Sequence, residues 1–158
     1  MTRHASGFAA ALTLATISLT GWAEGRAKIH IVLGGGPYAG KYDVTAEECL
    51  AGIQKKGSWH ATWQAEREEK GKISAVLLGI DPKPTFGNGL TMSVHFGEPD
   101  SQIMYEVQKP TTNVVDKGAT ATLTFKGEAR TVNYADGTFG NGGLVEITVE
   151  CGSVKRGE

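Results

Sequence analysis

Apolar and polar residues alternate along most of this chain, and a period of two is typical of β-strands that bury one face. In residues 58–66, Trp59, Ala61 and Trp63 alternate with polar neighbours. Residues 144–151 repeat the pattern on Val145, Ile147, Val149 and Cys151. Further segments with strand character lie at 28–33, 41–44, 73–80, 90–96, 103–108 and 120–125.

Short turn sequences separate these segments, among them Gly34-Gly35-Gly36-Pro37, Gly87-Asn88-Gly89 and Asp136-Gly137. Seven to nine strands at this spacing predict an all-β domain, and we expect an immunoglobulin-like antiparallel β-sandwich. One segment departs from the pattern. Thr45 and Glu48 have the spacing of a capping box, which predicts a short helix over residues 46–54.

The first 23 residues predict a secretory signal peptide. A basic Arg3 precedes an apolar stretch that ends in the small residues Gly21 and Ala23, so cleavage is expected after Ala23. The mature β-sandwich domain then comprises residues 24–158. The apolar stretch is too short to cross a hydrocarbon core of about 30 Å, so no stable membrane span is expected after cleavage.

Cysteine usage agrees with export. The chain has two cysteines, Cys49 and Cys151, and an oxidising compartment allows them one intramolecular pairing. We therefore predict a single disulfide, with two unlinked buried thiols as the alternative. Two isolated cysteines do not have the spacing of a zinc site, so they predict no metal centre.

Composition and charge exclude several classes of protein. The chain has 158 residues, of which 40% are hydrophobic, and its formal net charge is -1. This apolar content is too high for a disordered chain of such low charge. Because the net charge is not basic, nucleic acid is not an expected partner.

Residues 35–41 match the G-x-x-x-x-G-K pattern of a phosphate-binding loop. Tyr42 follows where such a loop has a magnesium-binding Ser or Thr, and Pro37 removes a backbone donor. The segment after Lys41 also has strand character, whereas a phosphate loop leads into a helix. We interpret the motif as a glycine-rich hairpin turn and predict no cofactor.

Histidines and aromatic residues are the other candidates for chemistry. His30, His60 and His95, with Met92 or Met104, could form a copper or zinc site, but their separations show no ligand spacing. No Gly-x-Ser-x-Gly elbow is present, and no pair of carboxylates is indicated, so no catalytic residue is assigned. Phe86 and Phe139 lie in loops rich in Gly and Asn, and we take them as the candidate contact surface.

The order of features resembles one known family. The Leu19-Thr20-Gly21 end of the leader, the Tyr42–Thr45 segment before Cys49 and the closing residues 144–153 resemble the mycobacterial surface-lipoprotein antigen (LpqH-type) family. Trp22 stands where that family has its lipidated cysteine. The resemblance implies a small envelope-associated β-sandwich with one disulfide, a role in surface interaction and no catalytic centre.

Together these features predict a non-catalytic protein of the periplasm, cell surface or secreted fraction of a bacterium. We expect it to act as an interaction or ligand-binding module whose partner is an envelope or surface protein or a glycan. Two alternatives stay open: a secreted hydrolase or carbohydrate-active accessory domain, and a periplasmic copper- or zinc-binding protein.

Overall fold

The alternating segments form strands in the computed structural model, which describes residues 26–53, 55–84, 87, 89–98 and 101–157. The strands of the described residues are β1 (Ala27–Leu33), β2 (Gly40–Ala46), β3 (Cys49–Ala51), β4 (Trp59–Gln64), β5 (Ile73–Ile80), β6 (Leu90–Glu98), β7 (Ser101–Val107), β8 (Thr111–Asp116), β9 (Ala121–Asn133), β10 (Phe139–Cys151) and β11 (Val154–Arg156). Of these, β3, β8 and β11 lie outside the alternating segments. The predicted all-β class is therefore confirmed.

All these strands belong to one hydrogen-bonded sheet, in the order β11-β3-β4-β5-β6-β7-β9-β10-β1-β2, with β8 paired on β9. Neighbouring strands are antiparallel except β11 and β3, which are parallel. The sheet curls into a half-barrel. The expected division into two separate immunoglobulin-like sheets is not confirmed, because hydrogen bonds run without a break from one half to the other.

The long strands β9 and β10 explain this continuity. Each has 13 residues. Residues Ala121–Lys126 of β9 pair with β8, and residues Ala129–Asn133 pair with β7. A register shift between Asn141 and Gly143 interrupts the pairing of β10 with β9, and such bulges bend a strand and increase its twist.

The concave face of the sheet carries the core. On β4, β6, β7, β9 and β10 the alternation predicted the inward side chains correctly, among them Phe96, Tyr105, Leu123, Phe125 and Ile147. Other large, fully buried side chains are Ile29, Ile31 and Leu78. On strands such as β1 and β10 the side chains of the other face are exposed or only partly buried. Removing these apolar side chains from water drives the sheet to curl, because a flat sheet would leave its apolar face exposed.

The predicted helix over residues 46–54 is wrong. Cys49–Ala51 instead forms β3, which pairs with β4 on one side and with β11 on the other. The capping box favours a helix only weakly. The two sets of strand pairings and the cystine at Cys49 favour a strand, and such tertiary contacts override helix propensity. Gln54 lies outside the described residues.

The predicted disulfide between Cys49 and Cys151 is confirmed, with a Cα–Cα distance of 5.8 Å. Both residues are buried. Strands β3 and β10, which carry them, are six strand steps apart along the sheet. The disulfide therefore joins two distant parts of the sheet across the interior of the half-barrel.

The predicted signal peptide, residues 1–23, lies outside the described residues. In the part of the chain that the structure describes, no helix has the length and apolar character needed to cross a membrane.

We predict that replacing both cysteines, in Cys49→Ala/Cys151→Ala, lowers the free energy of unfolding by about 2–5 kcal/mol. The loss arises because the cross-link closes a sequence separation of 102 residues and so restricts the unfolded chain. Urea unfolding followed by tryptophan fluorescence measures it. Wild-type protein unfolded with a reductant should match the variant. Thiols that alkylate without reduction would contradict the disulfide.

Candidate functional site

The hairpin between β9 and β10 presents two aromatic side chains to solvent. Tyr134 is 56% exposed and Phe139 is 66% exposed. The turn between them is held by its own polar groups: the Asp136 carboxylate accepts bonds from the backbone N–H and the hydroxyl of Thr138, at 2.9 and 2.7 Å. The two rings are therefore displayed on an ordered turn of short polar residues, as is typical of contact surfaces.

Side chains from neighbouring strands surround these rings on the convex face. The Arg130 guanidinium lies 4.9 Å from the centroid of the Phe139 ring, within the range of a cation–π interaction. Glu106 holds Arg130 with a nitrogen–oxygen distance of 2.7 Å. The Tyr134 hydroxyl points to the Met104 sulfur at 3.6 Å. We call Met104, Arg130, Tyr134 and Phe139 the aromatic surface.

The two predicted contact residues have different outcomes. Phe139 is exposed and begins β10 beside Val132 of β9. Phe86 lies outside the described residues. The Tyr134 N–H donates to the carbonyl of Gln102 on β7, which ties the hairpin turn to the neighbouring strand.

The G-x-x-x-x-G-K motif forms a hairpin loop, as predicted: β1 and β2 pair antiparallel on either side of it. The buried Tyr105 hydroxyl holds this loop from the core side. It accepts a hydrogen bond from the Tyr38 N–H at 2.8 Å and donates one to the Gly35 carbonyl at 3.1 Å. The Tyr38 N–H, a backbone donor of the kind that a phosphate-binding loop uses, is thus engaged by a tyrosine.

Aromatic stacking closes the same loop over the core. The Tyr38 and Phe96 rings stack with centroids 4.3 Å apart, and the Tyr42 ring meets Phe96 edge-on. Tyr42 also donates its hydroxyl hydrogen to the Tyr38 carbonyl. Burial of Tyr105 raises the pKa of its hydroxyl to about 12, with a further contribution from Tyr42.

The three histidines lie on three different strands and have different partners. The His30 Nδ1–H donates to the Asp43 carboxylate at 2.6 Å on the convex face. His95 bonds to Ser93 and Gln102, and burial lowers the pKa of its imidazole. Met92, proposed as a copper ligand, is a buried core residue. Among the described residues, no three His, Cys, Asp or Glu side chains cluster as a metal site would require.

A groove of about 530 Å³ opens between β2 and β4. Its walls carry three glutamates, Glu47, Glu48 and Glu66, together with Arg26, Thr45, Leu50, His60, Thr62, Trp63 and Gln64. Glu47 and Glu66 are exposed. The general acid of a glycoside hydrolase needs a buried carboxyl group, so these exposed glutamates suit binding better than acid catalysis.

In the part of the chain that the structure describes, the aromatic surface offers exposed rings and the groove offers acidic side chains, and both are chemistries of binding sites. Comparison with protein-family profiles, with characterised proteins and with solved structures found no match for this chain. The proposals for function therefore rest on the chemistry of these two surfaces.

Sequence reasoning identified Phe139 but missed its neighbours. Met104 lies on β7, Arg130 on β9 and Tyr134 in the turn after β9. Only the pairing of β7 with β9 brings these residues together. Tyr134 had a local signal, since an aromatic residue beside Asp136-Gly137 is a loop aromatic by the same criterion as Phe139. No local signal indicated the groove, because its walls belong to strands that are distant in the sequence.

We predict that Gly36→Ala lowers the free energy of unfolding by about 2–4 kcal/mol. Gly36 has a φ of 76°, and a Cβ there would lie 2.6 Å from the Tyr105 hydroxyl oxygen. Gly137→Ala is the matched control, because Gly137 has a φ of 71° but open space around it. Denaturant unfolding of both variants measures the difference, and equal losses would contradict the clash.

A second prediction concerns the pH dependence of stability. Because an unfolded tyrosine titrates near pH ~10, the unfolded chain loses this proton before the folded one does. Tyr105 therefore stabilises the fold fully below pH ~10, and we expect that contribution to disappear as the pH rises through about 12. Phenolate absorbance should show a step near pH 12 that is absent in Tyr105→Phe and retained in Tyr134→Phe. Persistence of the step in Tyr105→Phe would contradict the assignment.

Proposed function

We propose that this protein is a non-catalytic, exported module of a bacterial cell envelope that binds a surface protein or glycan through its aromatic surface. The observation that carries the proposal is the exposure of Tyr134 and Phe139 on an ordered hairpin. Tyrosine and arginine are enriched among the residues that dominate binding energy at protein interfaces. Aromatic rings also offer large, rigid contact areas to a partner.

The arrangement of Arg130 supports binding further. Its guanidinium is held over the Phe139 ring and paired with Glu106, so its position does not have to be ordered when a partner arrives. The aromatic surface thus combines exposed aromatic rings with the Arg130–Glu106 ion pair. A partner with an apolar or ring-shaped group and nearby polar groups would match this combination.

Export is supported by the disulfide, because such bonds persist in oxidising compartments. The all-β architecture with one cystine also supports the proposed kinship with the LpqH-type surface-lipoprotein antigens. We propose that the domain works as immunoglobulin-like sandwiches do, as a rigid β scaffold that displays a contact surface at one end.

The test is capture from envelope extract of the source cell by the exported protein and two variants. We expect Tyr134→Ala/Phe139→Ala to retain at least tenfold less of the specific protein or glycan, since loss of a dominant aromatic contact costs about 2 kcal/mol or more. Val115→Ala is the matched control, because Val115 is another exposed apolar residue, on β8. Equal capture by wild-type protein and the aromatic variant would contradict the proposal.

A further inference from the structure

Within the described residues, the groove between β2 and β4 is bordered by two strand edges that have no strand partner on that side. β3 pairs with β4 only at Trp59 and His60, whereas residues Ala61–Gln64 of β4 pair with β5 alone. β2 pairs only with β1, and its other edge lies beside β4. An unpaired edge offers backbone donors and acceptors to any extended chain that fits beside it.

The register shows which backbone groups of β4 face the groove. The Gly52 N–H donates to the Ser58 carbonyl at 2.8 Å, so the backbone groups of Ser58 point toward the β3 side. Backbone direction alternates along a strand, and therefore Thr62 and Gln64 point their N–H and C=O groups to the same side. β3 does not extend that far, which leaves these groups facing the groove.

The side chains of the groove favour a positively charged occupant. Three glutamates and one arginine line it, and Glu48 is the only one of these glutamates with an ion pair among the described residues, to Lys155 at 3.5 Å. His60 also lines the groove, and within the described part of the chain its buried Nε2 has no hydrogen-bond partner.

We propose that this groove binds an extended peptide segment carrying lysine or arginine, which adds as a strand to the free edge of β4. Main-chain hydrogen bonds to Thr62 and Gln64 hold the segment, and Glu47 and Glu66 select its basic side chains. The half-buried Trp63 contributes an apolar wall. The volume of about 530 Å³ is sufficient for several residues of an extended chain.

This site is distinct from the aromatic surface. Gln64 on β4 and Phe139 on β10 are five strand steps apart in the sheet, or about 24 Å along its curve at about 4.8 Å per step. Variants in one surface leave the other intact, so failure of either proposal can be recognised separately.

The experiment measures binding of a defined peptide by isothermal titration calorimetry. The probe is an acetylated and amidated hexapeptide of sequence Lys-Thr-Val-Thr-Lys-Val, and its counterpart carries glutamate in place of both lysines. We expect the lysine peptide to bind at least tenfold more tightly than the glutamate peptide. Its affinity should fall as the salt concentration rises, because the attraction is between partly exposed charges.

Two variants test the two components of the site. Thr62→Pro removes one backbone donor from an edge position where proline is tolerated, and should weaken binding at least tenfold. Glu47→Gln/Glu66→Gln should weaken it at least fivefold without altering the sheet. Glu128→Gln, which neutralises an exposed glutamate on β9, is the matched control and should bind as wild type does.

Three results would overturn the proposal: no binding of the lysine peptide, equal binding of both peptides, or unchanged affinity in Glu47→Gln/Glu66→Gln. A concentration-dependent dimer that Thr62→Pro dissociates would also overturn it, in favour of a second copy of this chain. If Thr62→Pro does not fold, as judged by circular dichroism, the glutamate variant alone decides the outcome.

Discussion

The cystine between Cys49 and Cys151 is the constraint on which the half-barrel depends. Along the sheet β3 and β10 are six strand steps apart. Two connections bring them together: the disulfide itself, and the pairing of β3 with the short strand β11, which follows β10. Because the sheet curls, the apolar side chains of its concave face are buried against the opposite part of the same sheet.

The disulfide connects the sheet at β3 and β10, and other strand edges of the sheet stay unpaired. The groove between β2 and β4 lies at such edges, because β3 is too short to cover the whole of β4. The same architecture thus provides the core and an unpaired edge. Natural sheets often protect such edges with charges, and here Glu47 and Glu66 near the edge also discriminate between possible peptide partners.

The glycine-rich loop shows why a motif must be judged with its surroundings. A phosphate-binding loop needs free backbone N–H groups at the start of a helix. In this chain the loop joins two strands, and the Tyr105 hydroxyl occupies the Tyr38 N–H and the Gly35 carbonyl. Gly36 is required because the tyrosine approaches so closely, not because a ligand does.

Alternation within short segments determined eight of the strands, and the count of two cysteines left a single possible disulfide. The local pattern also indicated the exposure of Phe139. It did not indicate β8 and β11, nor β3, where strand pairing overrides the helix signal of Thr45 and Glu48.

Only the tertiary structure decided which strands are neighbours and whether they form one sheet or two. That choice depends on pairing between segments far apart in the chain and on the length and bending of β9 and β10. It placed Arg130 beside Phe139 and Met104 beside Tyr134, and it left Thr62 and Gln64 on an open edge. The energies of such contacts arise from residues that the linear sequence separates, and for that reason the binding surfaces appear only once the chain is folded.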